Sequence, residues 1–149
     1  MKFKREQFLS IIDEALPLIQ EHFKEVDAQQ DLGLDIDIER YCKLEELDCL
    51  RIYTLRNEAD ELIGYACFII SNHLHYKRAI SAAQDVIYIK PEFRGEGHKF
   101  IARCDQELHK QGVDIVSHFV TPRCDFSKTL TKLGYQMIET VYARRLDKI

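Results

Sequence analysis

The chain has 149 residues, 46% hydrophobic and 31% charged, a balance that suits one folded globular domain with a single core and excludes a disordered chain. Its 21 basic and 25 acidic residues give a net charge of -4, which argues against a sequence-indifferent electrostatic nucleic-acid binder, so no direct nucleic-acid binding is expected. No apolar run approaches the roughly 20 residues that cross a bilayer. Asp13 and Glu14 interrupt the stretch after the basic start Met1-Lys2-Phe3-Lys4-Arg5, so no secretory signal is read and a cytoplasmic location is expected. Cys42, Cys49, Cys67, Cys104 and Cys124 are odd in number and lack C-x-x-C spacing, and they read as small buried hydrophobes in a reducing compartment.

Residues 5–28 carry apolar side chains at helical spacing: Phe8, Ile11, Ile12 and Leu16, then Leu18, Ile19, Phe23 and Val26. Pro17 predicts a break, with a second helix starting at its first turn. A loop is expected over 27–37 and a short helix over 38–48. Leu50–Leu55 and Leu62–Ile70 read as strands joined by the polar Asn57–Glu61, an antiparallel hairpin. Ser71–Arg78, with His73, His75 and Tyr76, is a connection. Ile80–Lys90 contains the run Val86-Ile87-Tyr88-Ile89, a third strand ended by Pro91. Phe100, Ile101, Cys104 and Leu108 mark one helix face, stopped by Gly112. Val113–Val120 reads as a fourth strand, 125–133 as a short helix stopped by Gly134, and Tyr135–Leu146 as a last strand. This order predicts a mixed α/β sheet covered by helices on both faces. No repeat or linker appears, so residues 1–149 are read as one domain.

The segment richest in chemistry is Val86-Ile-Tyr-Ile-Lys-Pro-Glu-Phe-Arg94-Gly-Glu-Gly-His-Lys99. A buried strand ends, a turn holds two glycines, and a helix begins. That geometry aims free backbone N–H groups and the positive end of a helix at one point, which binds phosphate. The glycines let an anion approach the backbone and permit a tight turn of positive φ. Arg94 adds charge at the rim. Standing alone, Arg-Gly-Glu-Gly reads first as an ordinary polar turn. The chain lacks G-x-x-x-x-G-K-[ST], and Gly95 and Gly97 lack the third glycine of a dinucleotide fingerprint.

In context, the run DVIYIKPEFRGEGHKFI resembles motif A of the GNAT (GCN5-related N-acetyltransferase) superfamily, whose signature is [QR]-x-x-G-x-[GA] after a central strand. Arg94 matches the first position and Gly97 the fourth, while Lys99 stands where glycine or alanine is usual. LPLIQEHFKEV, LRIYTLRNEADELIGYACFIISNHLHY and LTKLGYQMIETVYARRL extend the likeness over most of residues 16–146, to a group found in bacteria and phages. The resemblance implies a mostly antiparallel sheet with a central V-shaped splay between two parallel strands, here 85–90 and 114–120. It implies acetyl-CoA as acyl-donor cosubstrate and no metal. The pantetheine arm would bond to the backbone of Ile87, Tyr88 and Ile89, with the acyl carbonyl held near Ile87. The pyrophosphate would lie on the N–H groups of Arg94, Gly95, Glu96, Gly97, His98 and Lys99. An amine acceptor, a small molecule or a protein, would enter past the helices at 5–48 and the loop at 71–78, inside a bacterial or phage-infected host cell.

Acyl transfer to an amine needs a base for the amine and a proton for the leaving thiolate. Asp85, just before the apolar run, is a candidate base and equally a strand-end aspartate bonded to a neighbouring N–H. GNAT members often carry a tyrosine on the helix before the last strands as the acid; the matching residue here is Leu130. Ser127, Tyr142 or water are the candidate replacements, and Tyr142 is equally a packing residue. His73 and His75 share one side of an extended segment and, with Tyr76, read as lining of the acceptor site. A metal site would need His118 as a third ligand, and ordinary hydrogen-bonded histidines are favoured over it. The acids of Leu32–Asp37 with Glu45, Glu46 and Asp48 read as a solvated face. The alternative to an enzyme is an acyl-CoA-binding module that acts through a protein partner. A strand edge near 135–146 would be able to support a homodimer.

Overall fold

A computed structural model of the chain describes residues 1–27 and 29–148. The first long helix, α1 (Phe8–Val26), buries Phe8, Ile11, Ile12, Ala15, Leu18 and His22 along one stripe. Pro17 lies inside this helix and does not start a second one. Its position explains the tolerance. Pro17 and Asp13 are both exposed, so the Asp13 carbonyl that loses its helical partner turns to water. Ala15 and Leu18 stay buried on either side, and their packing holds the helix together across the break.

A short strand not expected from sequence, β1 (Lys2–Arg5), pairs antiparallel with β2 (Leu50–Arg56). Its alternation rests on one apolar residue, Phe3, which stacks on Tyr53 at 5.3 Å. The helix α2 (Ile38–Glu46) follows the loop after α1, and the Asp37 side chain caps it by accepting from the Arg40 N–H. β2 and β3 (Leu62–Asn72) form the expected antiparallel hairpin, and β3 pairs antiparallel with β4 (Ile80–Ile89). After a 3-10 turn over Pro91–Glu96 comes α3 (Gly97–Lys110), ended at Gly112 with φ 86°. β5 (Ile115–Ser117) pairs parallel with β4, which completes the order β1-β2-β3-β4-β5, and α4 (Ser127–Lys132) follows.

Every residue of β2 is buried, including Arg51, Thr54 and Arg56. Arg56 is satisfied by two carboxylates, Glu6 at 3.0 Å and Glu14 of α1 at 3.0 Å. Glu14 also accepts from the Leu62 N–H, so the ion pair ties α1 to the sheet, and its Arg56 hydrogen bond holds the Glu14 carboxyl below its ordinary range. Two apolar layers flank the sheet. Phe100, Cys104 and Leu108 of α3 pack on Tyr53, Leu55, Ile63, Phe68 and Ile89. Phe8, Ile11 and Ile12 of α1 pack on the opposite face against Leu50, Ile52 and Cys67.

Two strand expectations are corrected. The segment expected as a strand over Val113–Val120 is a strand only from Ile115 to Ser117. The segment 135–145 has no regular secondary structure, with Met137, Ile138, Val141 and Tyr142 exposed, so it offers no strand edge for a dimer. Its residues favour strand, yet strand propensity expresses itself only against a neighbouring ladder, and within the described residues β5 ends the sheet.

Restoring the helical N–H at the exposed Pro17 should stabilise the fold. Pro17→Ala is expected to raise the urea unfolding free energy by about 1–3 kcal/mol at unchanged m-value.

Candidate active site

The ladder between β4 and β5 covers three pairs: Ser81 with Ile115, Ala82 with Val116, and Ala83 with Ser117. On its other side β4 stays paired with β3 up to Ile89 opposite Gly64. From Gln84 onward, therefore, β4 is laddered on one edge and open on the other, and the two parallel strands diverge. Gly64 matters to this edge. A Cβ there would stand 2.9 Å from the Tyr88 carbonyl oxygen, so only glycine lets β3 lie this close to the end of β4. It was not singled out by sequence.

A β-bulge sits where the divergence begins. Cys67 pairs with Val86 and Phe68 with Gln84, which leaves Asp85 without a partner. The extra residue reverses the alternation of β4. Ala82 faces the α3 layer, and past the bulge so do Ile87 and Ile89, while Val86 and Tyr88 face α1. Gln84 and Asp85 consequently serve opposite faces. Gln84 spans the apex of the gap: its Nε2 donates to the Phe119 carbonyl at 3.4 Å, and its Oε1 lies 2.7 Å from His118 Nδ1. With the amide fixed this way, His118 carries its proton on Nδ1. Its Nε2 is buried without a partner among Phe68, Phe126 and Tyr135. Burial holds the His118 pKa down at about 4, so the ring is neutral. On the other face, exposed Asp85 accepts a hydrogen bond from the Tyr41 hydroxyl of α2.

At the far end of β4 the chain enters the 3-10 turn and α3. Neither glycine there has positive φ: Gly97 sits at φ -56°, and Gly95 is in the 3-10 turn. Their value is open space, since a Cβ on Gly95 would meet nothing within 4 Å and one on Gly97 only Ile89 Cδ1 at 3.9 Å. This corrects the expectation of a positive-φ turn. No side chain caps α3 among the described residues, although the Gly97 N–H already donates to the Arg94 carbonyl of the preceding 3-10 turn. Lys99 runs along the surface, paired with Glu96 at 3.2 Å, and His98 is exposed.

Arg94 is already engaged. Its Nε donates to the Ile89 carbonyl at 3.0 Å, its Nη2 pairs with Glu25 of α1 at 2.6 Å, and its guanidinium lies 5.7 Å from the Tyr88 ring centre. The carboxylate partner raises the Arg94 pKa, and Arg94 holds Glu25 below its ordinary range. One helical turn earlier, Glu21 accepts from the Tyr88 hydroxyl at 3.2 Å. Between them His22 stacks on Tyr88 at 4.9 Å and bonds Tyr65 through Nδ1 at 2.9 Å, and burial lowers its pKa to about 4. Sequence reading missed Glu21, His22 and Glu25. Their signal was a polar i, i+4 pair flanking a histidine on the buried stripe of α1.

The other candidates are spread out. His73, His75 and Tyr76 cluster in the β3–β4 loop, with His73 centred 4.6 Å from Tyr76, at the end of β4 opposite the glycine turn. The His75 N–H donates to His73 Nδ1 at 3.1 Å. His118 belongs to a different cluster, and no group of three metal-ligating side chains gathers among the described residues. Ser127 begins α4, its N–H donating to Asp125 at 2.9 Å. Tyr142 is 91% exposed on the irregular tail. Leu130 is buried.

This geometry has known counterparts. No family model matches the sequence, and no curated protein matches it. Solved structures do. A ribosomal-protein-alanine N-acetyltransferase from Brucella melitensis biovar Abortus 2308 superposes with a TM-score of 0.72 at 15% identity, over 98% of this chain and 100% of that one. A "predicted acetyltransferase with acetyl-CoA" from Clostridium acetobutylicum gives 0.72 at 13% identity, over 99% and 97%. An aminoglycoside acetyltransferase from an uncultured soil metagenomic sample, in complex with sisomicin, gives 0.70 at 15% identity, over 97% and 96%. The chain has the GNAT acetyltransferase fold. No helix among the described residues is long and apolar enough to cross a membrane.

Two neutral buried histidines make the fold acid-sensitive. His22 and His118 are depressed to about 4, below the ordinary value of 6.5, so the unfolded chain binds protons that the folded chain refuses. Their contribution is complete above pH 6.5 and is lost as the pH falls towards 4. In urea unfolding across that window, His118→Gln is expected to reduce the slope of stability against pH by up to about 1.4 kcal/mol per unit, one proton's worth.

Proposed function

We propose that this protein transfers an acetyl or other short acyl group from acetyl-CoA to a primary amine of a small molecule or a protein. The observation that carries this reading is the open edge of β4 beyond Ala83, which leads directly to the uncapped, glycine-lined start of α3. A pantetheine arm fits beside such an edge by taking the place of a strand. The backbone of Ile87, Tyr88 and Ile89 supplies hydrogen bonds there, although the Ile89 carbonyl is shared with Arg94. The turn at residues 94–99, with Gly95 and Gly97 bare, receives the pyrophosphate, which shares the Gly97 N–H with the Arg94 carbonyl. Arg94 adds its charge once it exchanges Glu25 for phosphate, and Lys99 adds a charge at the surface.

In this reading the amine approaches on the α1–α2 side, where Asp85 is exposed. Asp85 accepts the proton that the amine gives up as the C–N bond forms and the C–S bond breaks. The departing sulfur takes one proton to end as the thiol. Water supplies it, because Leu130 carries no acid and Tyr142 stands out in solvent. The structural neighbours include a ribosomal-protein-alanine N-acetyltransferase and an aminoglycoside acetyltransferase, which supports the amine class without choosing within it.

Acetyl-CoA is expected to raise the melting temperature and, with a panel of primary amines, to release free thiol. Gly97→Trp should keep the wild-type melting temperature without ligand, since its backbone is helical and its Cβ has room, yet lose the acetyl-CoA shift. Binding with no thiol release across the panel would make the protein an acyl-CoA-binding module.

Glu25→Gln should free Arg94 for the pyrophosphate and tighten acetyl-CoA binding severalfold. Isothermal titration at low salt reads this directly, and an unchanged or weaker affinity would mean that Arg94 serves the fold alone.

A further inference from the structure

Asp85 is the one residue of β4 that the bulge leaves without a strand partner, and its carboxylate is exposed. Its surroundings supply no cation: among the described residues no lysine, arginine or histidine pairs with it. The titratable groups that face it are Tyr41 on α2 and Cys67 on β3, with Glu45 of α2 acting on the same thiol. Burial pushes the Cys67 thiol up, so it stays uncharged. The only hydrogen bond to the Asp85 side chain among the described residues comes from the Tyr41 hydroxyl, to Oδ2, and Oδ1 is left open.

Tyr41 is itself fixed from two directions. Its ring stacks on Phe8 of α1 with centres 4.7 Å apart and planes 10° apart. α2 is tied to the start of α1 by Glu45, which accepts from the Phe8 N–H at 3.0 Å. Burial first, and then the Asp85 carboxylate, push the Tyr41 phenol well up, so it remains a donor wherever the protein is folded.

We propose that Tyr41 is a positioning residue for Asp85: it holds Oδ2 and turns Oδ1 towards the amine. This inference rests on Asp85 as the base. A cation at Asp85 would compete with a protonated amine for the carboxylate, whereas a neutral phenol leaves the approach open. The bulge makes the arrangement possible, because without it residue 85 would be bound into the ladder with β3.

Tyr41→Phe tests the proposal and keeps the stack on Phe8. Removing the hydroxyl frees the carboxylate to rotate out of its approach to the amine. With spermidine and a peptide amino terminus as acceptors, kcat should fall about tenfold while KM for acetyl-CoA and the melting temperature hold. Placed in an Asp85→Asn background, the change should have no further effect on rate. An unchanged kcat overturns the proposal, and so does an equal loss of rate in both backgrounds. An Asp85→Asn variant with full activity would instead remove the base assignment, and this inference with it, a result distinguishable from failure of the inference alone, in which Asp85→Asn is impaired and Tyr41→Phe is not.

Discussion

Between Ala83 and Val86 the sheet changes in two ways over three residues. Its ladder with β5 ends, and one extra residue enters the ladder with β3. Either change alone would give a lesser site. A splay without the bulge would leave the β4 alternation intact, with Ile87 and Ile89 turned away from the α3 layer that now buries them. A bulge without the splay would turn Asp85 into an ordinary interior irregularity beside a filled strand. Together they open one edge of β4 and place a glutamine and an aspartate, adjacent in sequence, on opposite faces.

The apex of that opening is closed by side chains. Where the backbone ladder stops, Gln84 continues the connection to β5 through the Phe119 carbonyl and His118. A side-chain clasp differs from a ladder in one physical respect: it fixes the distance at one point and leaves the strands beyond it free to diverge. Its cost is the stranded Nε2 of His118, a buried acceptor without a donor. Such an atom costs about 1–3 kcal/mol, and the aromatic packing of Phe68, Phe126 and Tyr135 around the ring supplies the offset.

Much of this was legible in the sequence, and the rest fails for identifiable reasons. The hairpin, β4, α3 and α4 follow from runs long enough for periodicity to speak, with Gly112 and Gly134 as stops. Pro17 misled because local propensity was read without the continuous stripe that overrides it. β1 offered a single apolar residue. Residues 135–146 misled in the opposite sense, since strand-forming side chains have no strand where no ladder partner is present. The glycine turn was found for its spacing, but positive φ was the wrong reason for it; the structure shows open space above a helical backbone. Asp85 was picked out by its position before the apolar run. The bulge that frees it, and Tyr41 that binds it, depend on a register between strands and on a helix more than forty residues away, which no linear pattern records.

The same limit applies to α1. From sequence it is an amphipathic helix and nothing more. In the structure its last two turns reach β4 through Glu21 to Tyr88 and the 3-10 turn through Glu25 to Arg94, with His22 wedged between Tyr65 and Tyr88. Two carboxylates thus stand over the end of β4 and the glycine turn that follows it, and one of them neutralises Arg94. Salt screens this pair only in part, because both side chains are partly withdrawn from water. The arginine therefore sits pre-folded over Tyr88, its guanidinium plane already desolvated on one side. An arriving pyrophosphate would have to displace a carboxylate and would not need to order a free side chain. The exchange would be one ion pair for another, with the entropy of fixing Arg94 already met by the fold.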